Sequence, residues 1–215
     1  MRRRPGPVDL VVLAKEPVPG RVKTRLCPPC SPAEAAAVAE AALADTLTAA
    51  VSAGADRVLL ALDGRPGPWC PQGVHVVDQG GGDLPARLTQ AWSHTSGPAV
   101  QIGMDTPQIT ADELGAAMAT LAGGEADAVL GPAEDGGWWA IGLRRSHPLT
   151  FVGVPTSRSD TGARQEARLA ALGLRVGTLP SRRDVDTWSD AVAVAGVAPA
   201  GRFARVVRTL AGAAA

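Results

Sequence analysis

Arg21, Lys23 and Arg25 alternate along one short stretch, and an extended backbone would aim all three at the same side. Three cations on one side repel one another unless an anion sits between them, and a triphosphate is a suitable anion. Gly20, just before them, permits close backbone approach. The chain has only two lysines, Lys15 and Lys23, and both fall in this segment. A compact, flexible ammonium is not interchangeable with a guanidinium where a phosphate must be reached. The segment Ala14–Leu26 therefore offers Ala14, Lys15, Gly20, Arg21, Lys23 and Arg25 as nucleotide-binding candidates. It is neither a G-x-x-x-x-G-K-[ST] loop nor a G-x-G-x-x-G turn. The plain alternative is a solvated basic loop.

Acids follow in three later segments. Asp105, in Gly103-Met104-Asp105-Thr106-Pro107, stands at the tip of an apolar run, where a carboxylate is costly unless hydrated or bound. A Mg²⁺ ion bridging phosphates is held by one or two carboxylates plus water, a role Asp105 suits as well as it suits capping the next turn. Glu134, Asp135, Gly136, Gly137, Trp138 and Trp139 form the second group. Its glycines permit backbone contact with a ligand, and an indole could stack on a base or an acceptor. Otherwise it is a hairpin turn in which one of the two tryptophans fills the core. In Asp184-Val185-Asp186-Thr187, the two aspartates share one face of an extended segment and one could supply a second metal carboxylate; a helix cap is the alternative.

The elements that must position these groups are legible from periodicity. Strands are expected at 8–14, 57–62, 74–77, 99–103, 127–130, 138–143 and 174–179. Helices are expected from Ser31 to Ala53, Leu84 to His94, Thr110 to Leu121, Asp160 to Leu172, Ser189 to Val197 and Arg202 to Leu210, with the tail 211–215 frayed. Strands alternate with helices, so the class is α/β with a mostly parallel sheet. The polar segments each follow a strand, which is where ligands bind in an open α/β sheet.

The chain has 215 residues, 46% of them hydrophobic, enough for one sizeable core, and one domain over 1–215 is expected. The formal net charge is zero, which argues against a nucleic-acid backbone binder. Met1-Arg2-Arg3-Arg4 resembles the start of a signal peptide, but the apolar stretch after it is interrupted by Asp9 and ends at Lys15. No stretch reads as a membrane span, and a cytoplasmic protein is expected. Cys27, Cys30 and Cys70 are too few for a disulfide framework, and Cys27-Pro-Pro-Cys30 lacks the further ligands of a zinc site. His75, His94 and His147 show no ligand or triad spacing.

Taken in order, AKEPVPGRVKTRL at Ala14–Leu26, GMDTP at Gly103–Pro107, GPAEDGGWWAIGL at Gly131–Leu143 and DVDT at Asp184–Thr187 resemble the GT-A-like nucleotide-diphospho-sugar transferase superfamily. The branch they resemble most is the bacterial radical-SAM/selenodomain-associated transferases; molybdenum-cofactor and phospholactate guanylyltransferases are more distant. The resemblance implies a single-domain, Rossmann-like, three-layer α/β/α sandwich. It implies Arg21, Lys23 and Arg25 on phosphates, Asp105 and Asp186 on Mg²⁺ or Mn²⁺, and the Asp135-Gly136-Gly137 segment lining an acceptor pocket. Two segments depart from the branch pattern: Gly82-Asp83-Leu84-Pro85-Ala86-Arg87 and Asp186-Thr187-Trp188-Ser189-Asp190.

Two reactions share this fold. A nucleotidyltransferase attacks the α-phosphate of a nucleoside triphosphate and releases pyrophosphate; a glycosyltransferase attacks the sugar carbon of a nucleotide sugar. The basic loop favours the first, because pyrophosphate is a highly charged leaving group. Lys23, Arg25 and Asp105 are then the catalytic candidates, and the acceptor is expected to be a small molecule bearing phosphate or carboxylate. A nucleotide-binding regulator without turnover is a third reading.

Overall fold

The computed structural model describes residues 7–213. Seven strands form one sheet: β1 (Asp9–Lys15), β2 (Arg57–Asp63), β3 (Val74–Asp78), β4 (Ala99–Gly103), β5 (Ala128–Pro132), β6 (Trp138–Leu143) and β7 (Val176–Thr178). Six helices accompany them: α1 (Pro32–Ser52), α2 (Leu84–Ser93), α3 (Ala111–Gly123), α4 (Thr161–Ala171), α5 (Trp188–Val197) and α6 (Arg202–Ala213). Helix α6 continues through residue 213, past the point where fraying was expected, and 214–215 lie outside the described residues.

The strand order is β3-β2-β1-β4-β6-β5-β7. Strand β6 runs antiparallel to both neighbours, and every other pairing is parallel. The chain first builds outward from β1 through β2 to β3, then returns to place β4 on the other side of β1. That reversal opens a crevice at the C-terminal ends of β1 and β4, the usual place for a ligand in such sheets.

Alternate strand residues face opposite layers. Leu10, Val12 and Ala14 of β1 pack toward α1 and α3, whereas Val11 packs with Leu59, Ala61 and Ala91 toward α2. Beyond the centre, Ala99, Ile141, Ala128 and Leu130 meet Leu88 and Trp92 of α2 and Leu169 of α4. Helices α5 and α6 cover the outer side of α1 through Val194, Phe203, Ala204 and Val207.

Helix α1 is therefore buried on both sides. Its length and mean hydropathy of 1.3 match a membrane span, which corrects the expectation that no stretch does, and 61% of that window is buried inside the protein. A helix apolar all round needs cover all round, and here the sheet and the α5–α6 pair supply it. A capping box between Ser31 and Glu34 starts it. The same device, Thr110 with Glu113 and Thr187 with Asp190, starts α3 and α5.

Two aspartates tie strand ends through arginines. Buried Asp9 accepts two hydrogen bonds from Arg57, its register partner on β2, at 2.8 and 2.6 Å. Asp127, just before β5, accepts from Arg175 at 2.8 Å and Arg144 at 2.5 Å, joining the β5, β6 and β7 ends. These guanidiniums, Arg175 first, lower the Asp127 pKa to about 2. A depressed carboxylate stabilises the fold above its unfolded pKa of about 4, and that contribution disappears as pH falls toward its folded value. Urea unfolding followed from pH 5 to pH 2 should show wild type losing stability over this window, with Asp127→Asn less stable at pH 5 and losing less on acidification.

Candidate nucleotide and metal site

The basic loop does not run extended. Val18 and Arg21 close a turn, Lys23 adopts a left-handed conformation with φ of 47°, and Thr24–Leu26 forms a 3-10 turn. The alternation argument for Arg21, Lys23 and Arg25 is thus corrected, because burying Val22 and Leu26 requires the chain to curl. Val22 packs in the core beneath α1, and Leu26 in the cluster with α5 and α6. Curled in this way, Arg21, Lys23 and Arg25 still line one cavity of about 330 Å³. Ala14, Lys15, Gln79, Arg87, Met104, Asp105 and Asp186 are also in its wall. Gly20 stands outside the lining, in the turn with φ of 76°.

Lys23 connects three parts of the chain. Its ammonium lies 2.5 Å from Asp105 and donates to the Val185 carbonyl, while its side chain is only 9% exposed. The Val185 amide in turn donates to the Asp105 carbonyl at 2.8 Å. Arg25 pairs with Asp186 at 2.6 Å, both half-exposed or more. The late aspartate segment is held against the end of β4 by α5 behind it, through Val185 in the outer apolar cluster.

A second cavity, about 450 Å³, opens on the other side of this wall. Arg25, Met104, Asp105 and Asp186 belong to both cavities, so the two form one cleft. Asp135, Gly137, Trp138, Ser157, Arg158 and Asp184 also line the second. The β5–β6 hairpin brings Asp135–Trp138 there, and α4 fixes it: the Gly162 amide donates to the Gly136 carbonyl at 2.8 Å. Gly136 has φ of 90°, and a Cβ there would overlap the Ser159 carbonyl. Trp138 stacks near Phe151 at the cavity edge, whereas Trp139 is buried in the core with its indole N–H on the Pro180 carbonyl at 2.9 Å.

Not every candidate reaches the cleft. Glu134 is exposed, pairs with Arg183 at 2.8 Å and lines a separate hollow behind the hairpin, because successive hairpin residues point to opposite sides. Gly136 supports the loop from behind and is not in the lining. Two contributors went unread in the sequence. Buried Gln79 donates to the Ala14 and Ala61 carbonyls at the ends of β1 and β2. Arg87 reaches Gln79 and lies 3.8 Å from Asp63. Asp184, expected beside Asp186 as an alternative metal carboxylate, lines the second cavity: burial first, then the carboxylates of Asp105, Asp135 and Asp186, push its pKa up to about 7, and its Oδ1 has no partner among the described residues. The glycine-rich run before α2 was a signal for Arg87; nothing local marked Gln79.

Cys27, Cys30 and Cys70 are free thiols, and Cys30 is buried beside Leu26. Among the described residues, no three His, Cys, Asp or Glu side chains gather as a metal cluster.

The chain shares its fold with several solved proteins. A candidate nucleotide-diphospho-sugar transferase from Desulfovibrio desulfuricans G20 superposes with a TM-score of 0.77 at 23% identity, over 94% of this chain and 97% of that one. A nucleotidyl transferase from Methanothermobacter thermautotroptrophicus gives 0.58 at 16% identity, over 95% and 99%. Rv0371c from Mycobacterium tuberculosis H37Rv, solved as a complex with manganese, gives 0.52 at 21%, over 87% and 97%. No curated protein matches the sequence. Residues 35–158 match the family described as "Uncharacterized protein conserved in bacteria (DUF2064)", and the chain belongs to that family.

Proposed function

We propose that this protein is a metal-dependent nucleotidyltransferase that moves a nucleoside monophosphate from a nucleoside triphosphate to a small acceptor, releasing pyrophosphate. One observation carries the reading: a cavity lined by Lys15, Arg21, Lys23, Arg25 and Arg87 meets a second cavity across a wall made by Asp105 and Asp186. The first suits a triphosphate, the second an acceptor, and the wall lies between them, where the reacting phosphate must be. The motifs that resemble the radical-SAM/selenodomain-associated branch, and the likeness to proteins named as nucleotidyl and nucleotide-sugar transferases, support the same reading.

The donor set fits a divalent cation. Asp184 has an unpartnered oxygen and a raised pKa among crowded carboxylates, a strain that a cation relieves. Two carboxylates with no third ligand suit Mg²⁺ or Mn²⁺, which complete their shell with water and phosphate oxygens. Asp105 and Asp186 would hold the ion, which when bound neutralises phosphate charge. Within the protein these aspartates pair with Lys23 and Arg25. With both ligands bound, Lys23 and Arg25 would face phosphate oxygens and Asp105 and Asp186 would face the cation, so each of these four charges would keep an opposite neighbour.

An acceptor oxygen then attacks the α-phosphorus, the bond to the bridging oxygen breaks, and pyrophosphate leaves. Lys23 and Arg25 stabilise the charge that gathers on the β- and γ-phosphates, and the fixed loop lets them do so without reorganising. We extend the proposal to a cytoplasmic enzyme, since nucleoside triphosphates are abundant there.

A thermal-shift panel of GTP, CTP, ATP, UTP and nucleotide sugars, each with and without Mg²⁺ or Mn²⁺, tests the reading. A triphosphate at 100 times its Kd adds ~2.7 kcal/mol, roughly 5–10 °C for a chain of this size. A shift confined to nucleotide sugars would instead mean glycosyl transfer, and none at all would remove the nucleotide. Once the substrate is named, Lys23→Ala should lower kcat/KM by ~10²-fold or more, the scale of one lost preorganised donor; a near-wild-type rate refutes its role. Asp105→Asn should weaken the metal dependence of nucleotide binding, and an unchanged Mg²⁺ titration excludes it as a ligand.

A further inference from the structure

The second cavity carries buried polar groups that have no partner among the described residues. Gln101, on β4, is 1% exposed, and its Oε1 has no partner among the described residues. Thr106, just past Asp105, is also 1% exposed with an unpartnered Oγ1. Both line the cavity. Leaving such groups unpaired is costly, so a site that keeps these two neutral ones beside the Asp184 oxygen is built for something that pairs with them.

Chemistry narrows what that is. The carboxylates of Asp105, Asp135, Asp184 and Asp186 face this cavity against the guanidiniums of Arg25 and Arg158. Arg25 is already paired with Asp186, and Arg158 with Asp160 at 3.0 Å. With Arg25 assigned to the triphosphate, a phosphate or carboxylate here would enter among four acids with Arg158 as its one cation in the lining, and its oxygens could not donate to Gln101 Oε1. A hydroxyl both donates and accepts, so it satisfies Thr106 and satisfies Gln101 whichever way the amide is turned. Leu13, Leu84, Leu88 and the Trp138 indole supply an apolar wall for the carbon side of such a molecule.

We infer that the acceptor is a neutral, hydroxyl-bearing molecule of the sugar or polyol class, selected by Gln101 and Thr106 against phosphorylated counterparts. The inference rests on reading the second cavity as the acceptor side of a transferase, and it departs from the anionic acceptor expected from sequence.

Saturation-transfer NMR on the full chain tests it with three matched pairs: glycerol and glycerol 3-phosphate, ribose and ribose 5-phosphate, glucose and glucose 6-phosphate. At least one neutral member should bind more tightly than its phosphate. Gln101→Leu should weaken that binding about tenfold, the equivalent of one hydrogen bond, while melting no lower than wild type because an unpaired polar group has been removed. Thr106→Val is the second variant, and the wild-type comparison holds whether or not either variant folds. Tighter binding of the phosphorylated members, no binding of any neutral one, or unchanged binding in a folded Gln101→Leu protein would overturn the inference. The nucleotide panel is read separately: neutral binding that depends on Gln101 without any triphosphate shift sinks the transferase reading and leaves the pocket assignment standing.

Discussion

An ammonium that is nearly buried must be paired, and the Lys23 ammonium is paired with two distant parts of the chain at once. It bridges the loop after β1, the carboxylate at the end of β4 and the carbonyl of Val185. Those segments are far apart in sequence and would otherwise be free loops at one sheet edge. Desolvation makes the clamp stringent on the lysine side, because removing the Asp105 charge strands a nearly buried ammonium, whereas Asp105 itself is well exposed. The left-handed backbone at Lys23 serves this contact, since it lets Val22 and Leu26 reach apolar clusters while the ammonium turns back toward Asp105.

Sheet topology decides what the clamp encloses. The reversal between β1 and β4 leaves a crevice, and the single antiparallel strand, β6, returns the β5–β6 hairpin over its far side. The result is a cleft with cations on one flank and carboxylates with an indole on the other. Such asymmetry is suited to holding a polyanion beside a different molecule. Arg25–Asp186 and Lys23–Asp105 pair opposite charges across the boundary between the two flanks.

Support for the cleft comes from behind it. Helix α1 is held between the sheet and the α5–α6 pair, and Val185 belongs to the cluster on its outer side. The aspartates that flank Val185 are therefore positioned by core packing rather than by loop geometry. Gln79 acts similarly on the first loop, closing the carbonyl ends of β1 and β2 from within.

Much of this was legible in the chain. All seven strands and six helices announce themselves by apolar periodicity and by caps such as Ser31-Pro32-Ala33-Glu34, because both are local signals. The candidate residues Arg21, Lys23, Arg25, Asp105 and Asp186 also stood out, since polar groups at strand ends are conspicuous against apolar runs. What the chain could not show was direction and depth. The basic loop curls because two of its apolar residues find separate clusters, and Glu134 turns away because its hairpin alternates. Gln79, Gln101 and Thr106 matter only because strands distant in sequence bury them. Burial, the sharing of one cleft wall by Asp105 and Asp186, and the unpaired state of a polar atom all depend on contacts between remote segments, and only the tertiary structure sets those.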